Sequence, residues 1–151
     1  MDNIKVRGFY RVQIDENGKI VGDSGWQKNQ VTNLGFNQYL VSALGAIAGS
    51  KQISHVALGT GGVPATDATT LGGEVVKRAA ITAATSNTSK ALQITATFAS
   101  ADSFVTNTQN ISNIGLFNSS ATGTLFAGNT FASSSCATNQ SVNISYVVSF
   151  S

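Results

Sequence analysis

The sequence predicts a mainly β protein: an antiparallel β-sandwich or jelly-roll-like domain carrying one α-helix over about Asn33–Ala48. Three observations predict it. Short apolar runs of period two recur along the chain, separated by Gly, Asn and Ser clusters. One stretch alone shows the 3.6-residue helical period. Helices do not alternate with the strand-like runs, as a βαβ fold would require. At 151 residues the chain is long enough to bury a core as a single domain, 1–151, with 1–31 a hairpin or arm leading into the helix.

Ile4, Val6, Tyr10, Val12 and Ile14 share one parity, opposite Lys5, Arg7, Arg11 and Gln13, which marks a strand. Asp15-Glu16-Asn17-Gly18 then turns it, because Asn-Gly supplies positive φ for a tight hairpin. Lys19–Val21 starts the return, Gly22–Gly25 interrupts it, and Trp26–Val31 resumes it or runs as an extended connection. Thr32 or Asn33 suits a helix N-cap. Phe36, Tyr39, Leu40, Ala43, Leu44 and Ile47 fall on one helical face, and Gly49 suits its end. Gly35 and Gly45 inside that helix each cost about 1 kcal/mol relative to alanine.

Ile53–Leu58 reads as a short strand that strikes a glycine-rich corner, Gly59-Thr60-Gly61-Gly62. A small-residue loop containing the only proline, Pro64, follows. Strands are then expected at Glu74–Thr82, Ala91–Phe98, Ile111–Phe117 and Thr124–Phe131. Turns are expected at 86–89, 118–123 and 133–135. Val142, Ile144, Tyr146, Val148 and Phe150 give the cleanest alternation and tie the C-terminus into the sheet.

Hydrophobic residues make up 42% of the chain and charged residues only 11%, less than half the usual share. From Ala91 to Ser151 the only charged side chain is Asp102. A net charge of +2 spread this way is too weak for a phosphate-tracking groove, so no nucleic-acid partner is expected. Charge is the usual guard on exposed strand edges, so a surface of Ser, Thr and Asn is easier to understand when covered in an assembly. The N-terminus has no apolar signal segment, and no run approaches the roughly 20 apolar residues of a membrane helix. These features suggest synthesis in a reducing cytoplasm and no membrane partner. Cys136 is the only cysteine, so no intrachain disulfide is possible and an inert thiol is expected.

No residue pattern points to catalysis, a metal or a cofactor. Gly59–Gly62 lacks the Lys-Ser/Thr of a phosphate loop, and Pro64 breaks G-x-G-x-x-G, so the glycines read as a bend. His55, the only histidine, reads as a strand residue rather than a base or a ligand. Asp67 and Glu74 read as solvated loop charges rather than an acid/base pair. The residues expected at a contact surface are Arg7, Arg11, Trp26 and Lys28 of the hairpin, Gly61, Gly62 and Pro64 of the glycine loop, and Lys77 and Arg78 after it. Trp26, Tyr39 or Phe104 would supply the stacking platform if the chain were instead a carbohydrate-binding module.

Two segments resemble a pattern in tailed-bacteriophage structural proteins. Ala57, Leu58, Gly59, Gly61, Leu71, Glu74, Val75 and Arg78 match a strand, A-L-G-T/D-G, a Pro loop and L-x-x-E-V-x-R. Ile111, Ile114, Gly115, Leu116, Phe117, Gly123, Thr124, Leu125 and Ala127 match I-x-x-I/A-G-L-F…G-T-L-F/L-A. The helix entry Asn29–Asn37 fits N-x-V-T-N-x-G-x-N/D. The resemblance implies a non-enzymatic virion structural protein, found on the capsid surface or tail. Its partners would be the major capsid protein or other virion proteins, and it would assemble as a homo-oligomer, with a trimer preferred. Capsid cement or decoration is the first expectation; a small tail, baseplate or tail-fibre attachment protein is the second.

Overall fold

The computed structural model describes residues 3–86 and 90–151. Ten strands form one antiparallel sheet that curls into two layers. They are β1 (Val6–Glu16), β2 (Lys19–Asp23), β3 (Gln27–Lys28), β4 (Gln30–Val31), β5 (His55–Gly59), β6 (Ala79–Ser86), β7 (Ala91–Phe98), β8 (Gln109–Phe117), β9 (Leu125–Cys136) and β10 (Ser141–Phe150). The order is β2-β1-β10-β7-β6-β5-β8-β9-β4, with β3 also paired to β1. This is the expected antiparallel β-sandwich with a single short helix.

Two strands change layer and hold the sandwich together at its sides. The start of β6 pairs with β5 (Val56 opposite Ala79), and from Ile81 onward it pairs with β7. On the other side β3 pairs with β1 while β4, beyond Asn29, pairs with β9. The Asn29 backbone N–H donates to the Gly8 carbonyl at 2.8 Å, and Asn129 Nδ2 donates to the Lys28 carbonyl at 2.7 Å. A Cβ at Gly8 would lie 2.8 Å from Asn29 Cβ, so this seam closes only over a glycine.

The core lies between the layers. Tyr10, Val12 and Ile14 of β1, Ile94 and Phe98 of β7, and Val142, Ile144, Tyr146 and Val148 of β10 face Val56, Leu58, Ile111, Ile114, Leu116, Phe126 and Phe131. The period-two pattern of β1, β7 and β10 thus reports one buried face each. Tyr10 Oη donates across the gap to the Thr130 carbonyl at 2.5 Å, and burial pushes its phenol pKa up to about 12. Cys136 is fully buried, and burial raises its thiol pKa.

Three expected elements differ. The helix turns from about Asn33 but ends at Leu44, and Gly35–Val41 is π-wound before the α-turn Ser42–Leu44. Of its apolar stripe only Tyr39 is fully buried; Phe36, Leu44 and Ile47 are exposed. Residues 74–78 are not a strand, since only Glu74 bridges Gly59 there, and the ladder begins at Ala79. Ser133–Ser135 continues β9 instead of turning, because sheet pairing uses the backbone and Ser134 and Ser135 meet Ile111 and Asn110. The turn follows at 137–140, closed by Gln140 N–H to the Ala137 carbonyl. The turn expected at 86–89 falls largely outside the described residues.

Candidate functional site

The glycine corner is a stitched neck. After Gly59 ends β5, the N–H groups of Thr60 and Gly61 donate to the carbonyls of Gly73 and Gly72, each at 3.1 Å. Val75 N–H donates to the Leu58 carbonyl at 2.9 Å. Two β8 side chains complete the neck. Ser112 Oγ donates to the Gly61 carbonyl at 2.9 Å, and buried Asn113 Nδ2 donates to the carbonyls of Gly62 (3.2 Å) and Gly72 (3.0 Å). A phosphate cradle needs free N–H groups, and those of Thr60 and Gly61 are already engaged. The glycines are there because the two chain segments approach closely: a Cβ at Gly61 would sit 2.6 Å from the Gly72 carbonyl oxygen.

Beyond the neck, the loop folds back over the outer face of the second layer. Leu71 packs with Ala57, Phe117 and Leu125 in a small core of its own, and Pro64 Cγ would lie 3.0 Å from a Cβ at Gly128. Pro64 is therefore buried and unavailable to a partner, although Val63, Thr66, Asp67, Thr69 and Thr70 remain exposed.

Arg78 is also turned inward. Its side chain is 6% exposed and its Cζ lies 3.6 Å from the Phe117 ring centroid. Nε and Nη2 reach the two oxygens of Glu74 at 2.5 and 3.0 Å. Nη1 donates to the carbonyls of Ser119 (2.9 Å) and Thr122 (2.6 Å). One guanidinium thus ties the end of the glycine loop to the β8–β9 turn. Arg78 and Glu74, read from the sequence as surface charges, instead form a structural clamp.

His55 stands beside this clamp, its Nδ1 2.8 Å from Ser54 Oγ. Burial, and then the Arg78 cation, lower its pKa from 6.5. A neighbouring cation disfavours the imidazolium that a general base must form. The unfolded chain binds more protons than the fold between the lowered pKa and 6.5. Stability should therefore fall as pH drops through 6.5 and level off below the folded pKa. Imidazole NMR, unambiguous with one histidine, measures the titration, and His55→Gln should flatten that part of the melting curve series. A native pKa at or above 6.5 would refute the assignment.

The hairpin residues divide. Arg11 Nε and Nη2 grip Asp23 at 3.0 and 2.5 Å, joined by Gln13 Nε2 at 3.1 Å. Hydrogen bonds from Arg11, the Gly25 N–H and Gln13 hold the Asp23 carboxyl well below the usual carboxylate range. Arg7, Trp26, Lys28 and Lys77 are exposed, as is Gly62, while Gly61 is half-buried. The nine expected contact residues are therefore not one surface. Tyr39 and Phe104 are buried, leaving Trp26 as the exposed ring of the three proposed for stacking.

Sequence reasoning missed two features. Asn113 could have been found as the one amide of the Ile111–Phe117 run, next to Ile114. The other is the exposed apolar side of the helix: Phe36, Val41, Leu44 and Ile47, with Leu44 91% exposed. Beside it lies an apolar groove of about 240 Å³ lined by Leu40, Ile53, Ile81, Leu92, Val148 and Phe150, with Lys51 its one charged lining residue.

Among the described residues no group of three or more His, Cys, Asp or Glu could hold a metal ion, and no helix is long and apolar enough to cross a membrane. No protein-family model matches the chain, no curated protein is detectably similar to it, and no solved structure matches it.

Proposed function

We propose that this chain is a non-enzymatic structural protein of a bacteriophage virion, acting as a capsid cement or decoration protein that bridges capsid subunits. The observation that carries the contact role is the apolar side of the helix. Val41, Leu44 and Ile47 are 60, 91 and 59% exposed, beside a groove with a single charged side chain. Large apolar side chains exposed on the helix and just after it favour burial against a partner. The virion setting rests on the resemblance of the two motif segments. Their residues also meet in space: Ala57, Leu71, Phe117 and Leu125 pack together, and Arg78 joins Glu74 to the β8–β9 turn. A protein that binds only assembled subunits stabilises the assembly by mass action.

The test is the protein's place and copy number in purified particles. Copies in step with capsid subunits support cement. A few symmetric rings' worth would move the reading to tail or baseplate. Absence from both heads and tails ends it.

Self-association, with a trimer preferred, has its own check. Leu44→Asp should convert the sedimenting oligomer to monomer while changing stability by no more than about 0.5 kcal/mol, as for an exposed site. A wild-type chain that sediments as a monomer at micromolar concentration would remove the oligomer.

A further inference from the structure

Trp26 is the chain's only tryptophan and is 51% exposed. The turn that carries it is unusually well tied. Gly25 takes φ +64°, and its N–H donates to Asp23 Oδ1 at 2.8 Å. Ser24 pairs with Val12 twice: its N–H donates to the Val12 carbonyl, and its Oγ accepts from the Val12 N–H, both at 2.9 Å. Gln27 Nε2 closes the far side on the Ser24 carbonyl at 2.9 Å. Arg11 and Gln13 hold Asp23 from beneath. An aromatic ring on a turn fixed this way loses little conformational freedom when it binds something.

Beside the ring is a cleft of about 250 Å³ over the outer face of β7 and β10. Its lining is mainly apolar, and its polar groups come from two cross-strand pairs, Thr95 opposite Ser145 and Gln93 opposite Val147. No ionised side chain lines it. Thr95 and Gln93 are exposed, so their hydroxyl and amide are free to exchange water for a ligand. A flat indole beside hydroxyl and amide groups, with no net charge, is complementary to one chemistry above others. A pyranose ring offers an apolar C–H face for the indole and neutral hydroxyls for Gln93, Thr95 and Ser145. Phosphate-rich or acidic ligands would find no cation in the cleft.

We propose that this cleft is a binding site for neutral polysaccharide, with one sugar ring stacked on Trp26 and its hydroxyls held by Gln93, Thr95 and Ser145. The site is on a different face from any role the helix plays, so it stands or falls independently of the virion reading.

Because there is one tryptophan, its emission reports this site alone. The protein is titrated with dextran, yeast mannan and a soluble β-glucan, and with alginate as an anionic contrast. At least one neutral polymer should give a saturable blue shift, protect Trp26 from acrylamide quenching and be indifferent to salt. The Gln93→Ala/Thr95→Ala double variant keeps the reporter and should weaken that response about tenfold or more. Trp26→Phe, with unchanged circular dichroism, should reduce retention on the immobilised polymer. Four results would overturn the proposal: no response to any neutral polymer, a full response in the double variant, a salt-sensitive response to alginate alone, or a shift that appears only when the protein self-associates or meets a protein partner.

Discussion

Arg78→Ala should destabilise the protein by about 3–5 kcal/mol, the range for removing one member of a buried ion pair. The loss has three parts. Glu74, whose side chain is 25% exposed, loses both guanidinium hydrogen bonds. The carbonyls of Ser119 and Thr122 lose their shared donor, and Phe117 loses the cation stacked on it. Arg78→Lys should recover little, because an ammonium cannot offer a planar fork to Glu74 and also reach two carbonyls. Urea unfolding should show a lower midpoint with little change in slope. A loss below about 1 kcal/mol would mean that the clamp is a surface ion pair of the ordinary kind.

The clamp explains why two segments some forty residues apart act as one unit. Glu74 and Arg78 end the glycine loop, and Ser119 and Thr122 lie in the β8–β9 turn. Asn113 ties β8 to the neck of the same loop, and Leu71 seals the loop over Phe117 and Leu125. The second layer therefore has a covered outer face, which is why β8 is buried continuously from Asn113 to Phe117 instead of alternating. A loop held at its neck, middle and end serves to complete the layer. Its exposed residues, Val63, Ala65–Asp67, Thr69 and Thr70, are what the loop leaves for a partner.

The legibility of the sequence follows the same physics. β1, β7 and β10 each put one face in the core and one in water, and their alternation shows it. The C-terminal half of β9 carries serines where no apolar pattern can speak, and only the backbone ladder to β8 reveals it. The helix was visible from its period, but periodicity says which residues share a face, not what that face meets. Here the fold gives a core position to Tyr39 and partial cover to Leu40, while Leu44 and Ile47 project outward. Thr32 and Asn33 both suit the cap by residue type, and it is Thr32 that accepts the Gly35 N–H, at 2.9 Å. Gly35 itself looked like a simple cost to the helix, yet a Cβ there would lie 2.1 Å from the Phe126 carbonyl oxygen. Arg78 was misread because nothing local distinguishes a buried arginine from an exposed one; its partners lie four and more than forty residues away.

Gly59→Ala should damage the corner far more than its small size suggests. A Cβ there would sit 2.4 Å from Asn113 Oδ1, 2.6 Å from the Gly72 carbonyl oxygen and 3.1 Å from that of Gly73. Two of those contacts are backbone, in a neck pinned by hydrogen bonds from Thr60 and Gly61. Relief requires prising strand from loop, at a cost of about 1–3 kcal/mol or more. Gly62→Ala is the internal control: no atom lies within 4 Å of its Cβ position, so it should change stability by no more than about 0.5 kcal/mol. Asn113→Ala should itself cost about 1–3 kcal/mol, since the Gly62 carbonyl loses its donor and the Gly72 carbonyl keeps only the Gly61 N–H. Combined with Gly59→Ala it should cost less than the sum, because one of the three clashes disappears; coupling of about 0.5 kcal/mol or more is expected for groups in contact. The Gly72 oxygen still stands in the way, so Gly59→Ala should remain harmful even without the Asn113 amide. Equal effects of Gly59→Ala and Gly62→Ala would show that the corner needs glycine for flexibility and not for close approach.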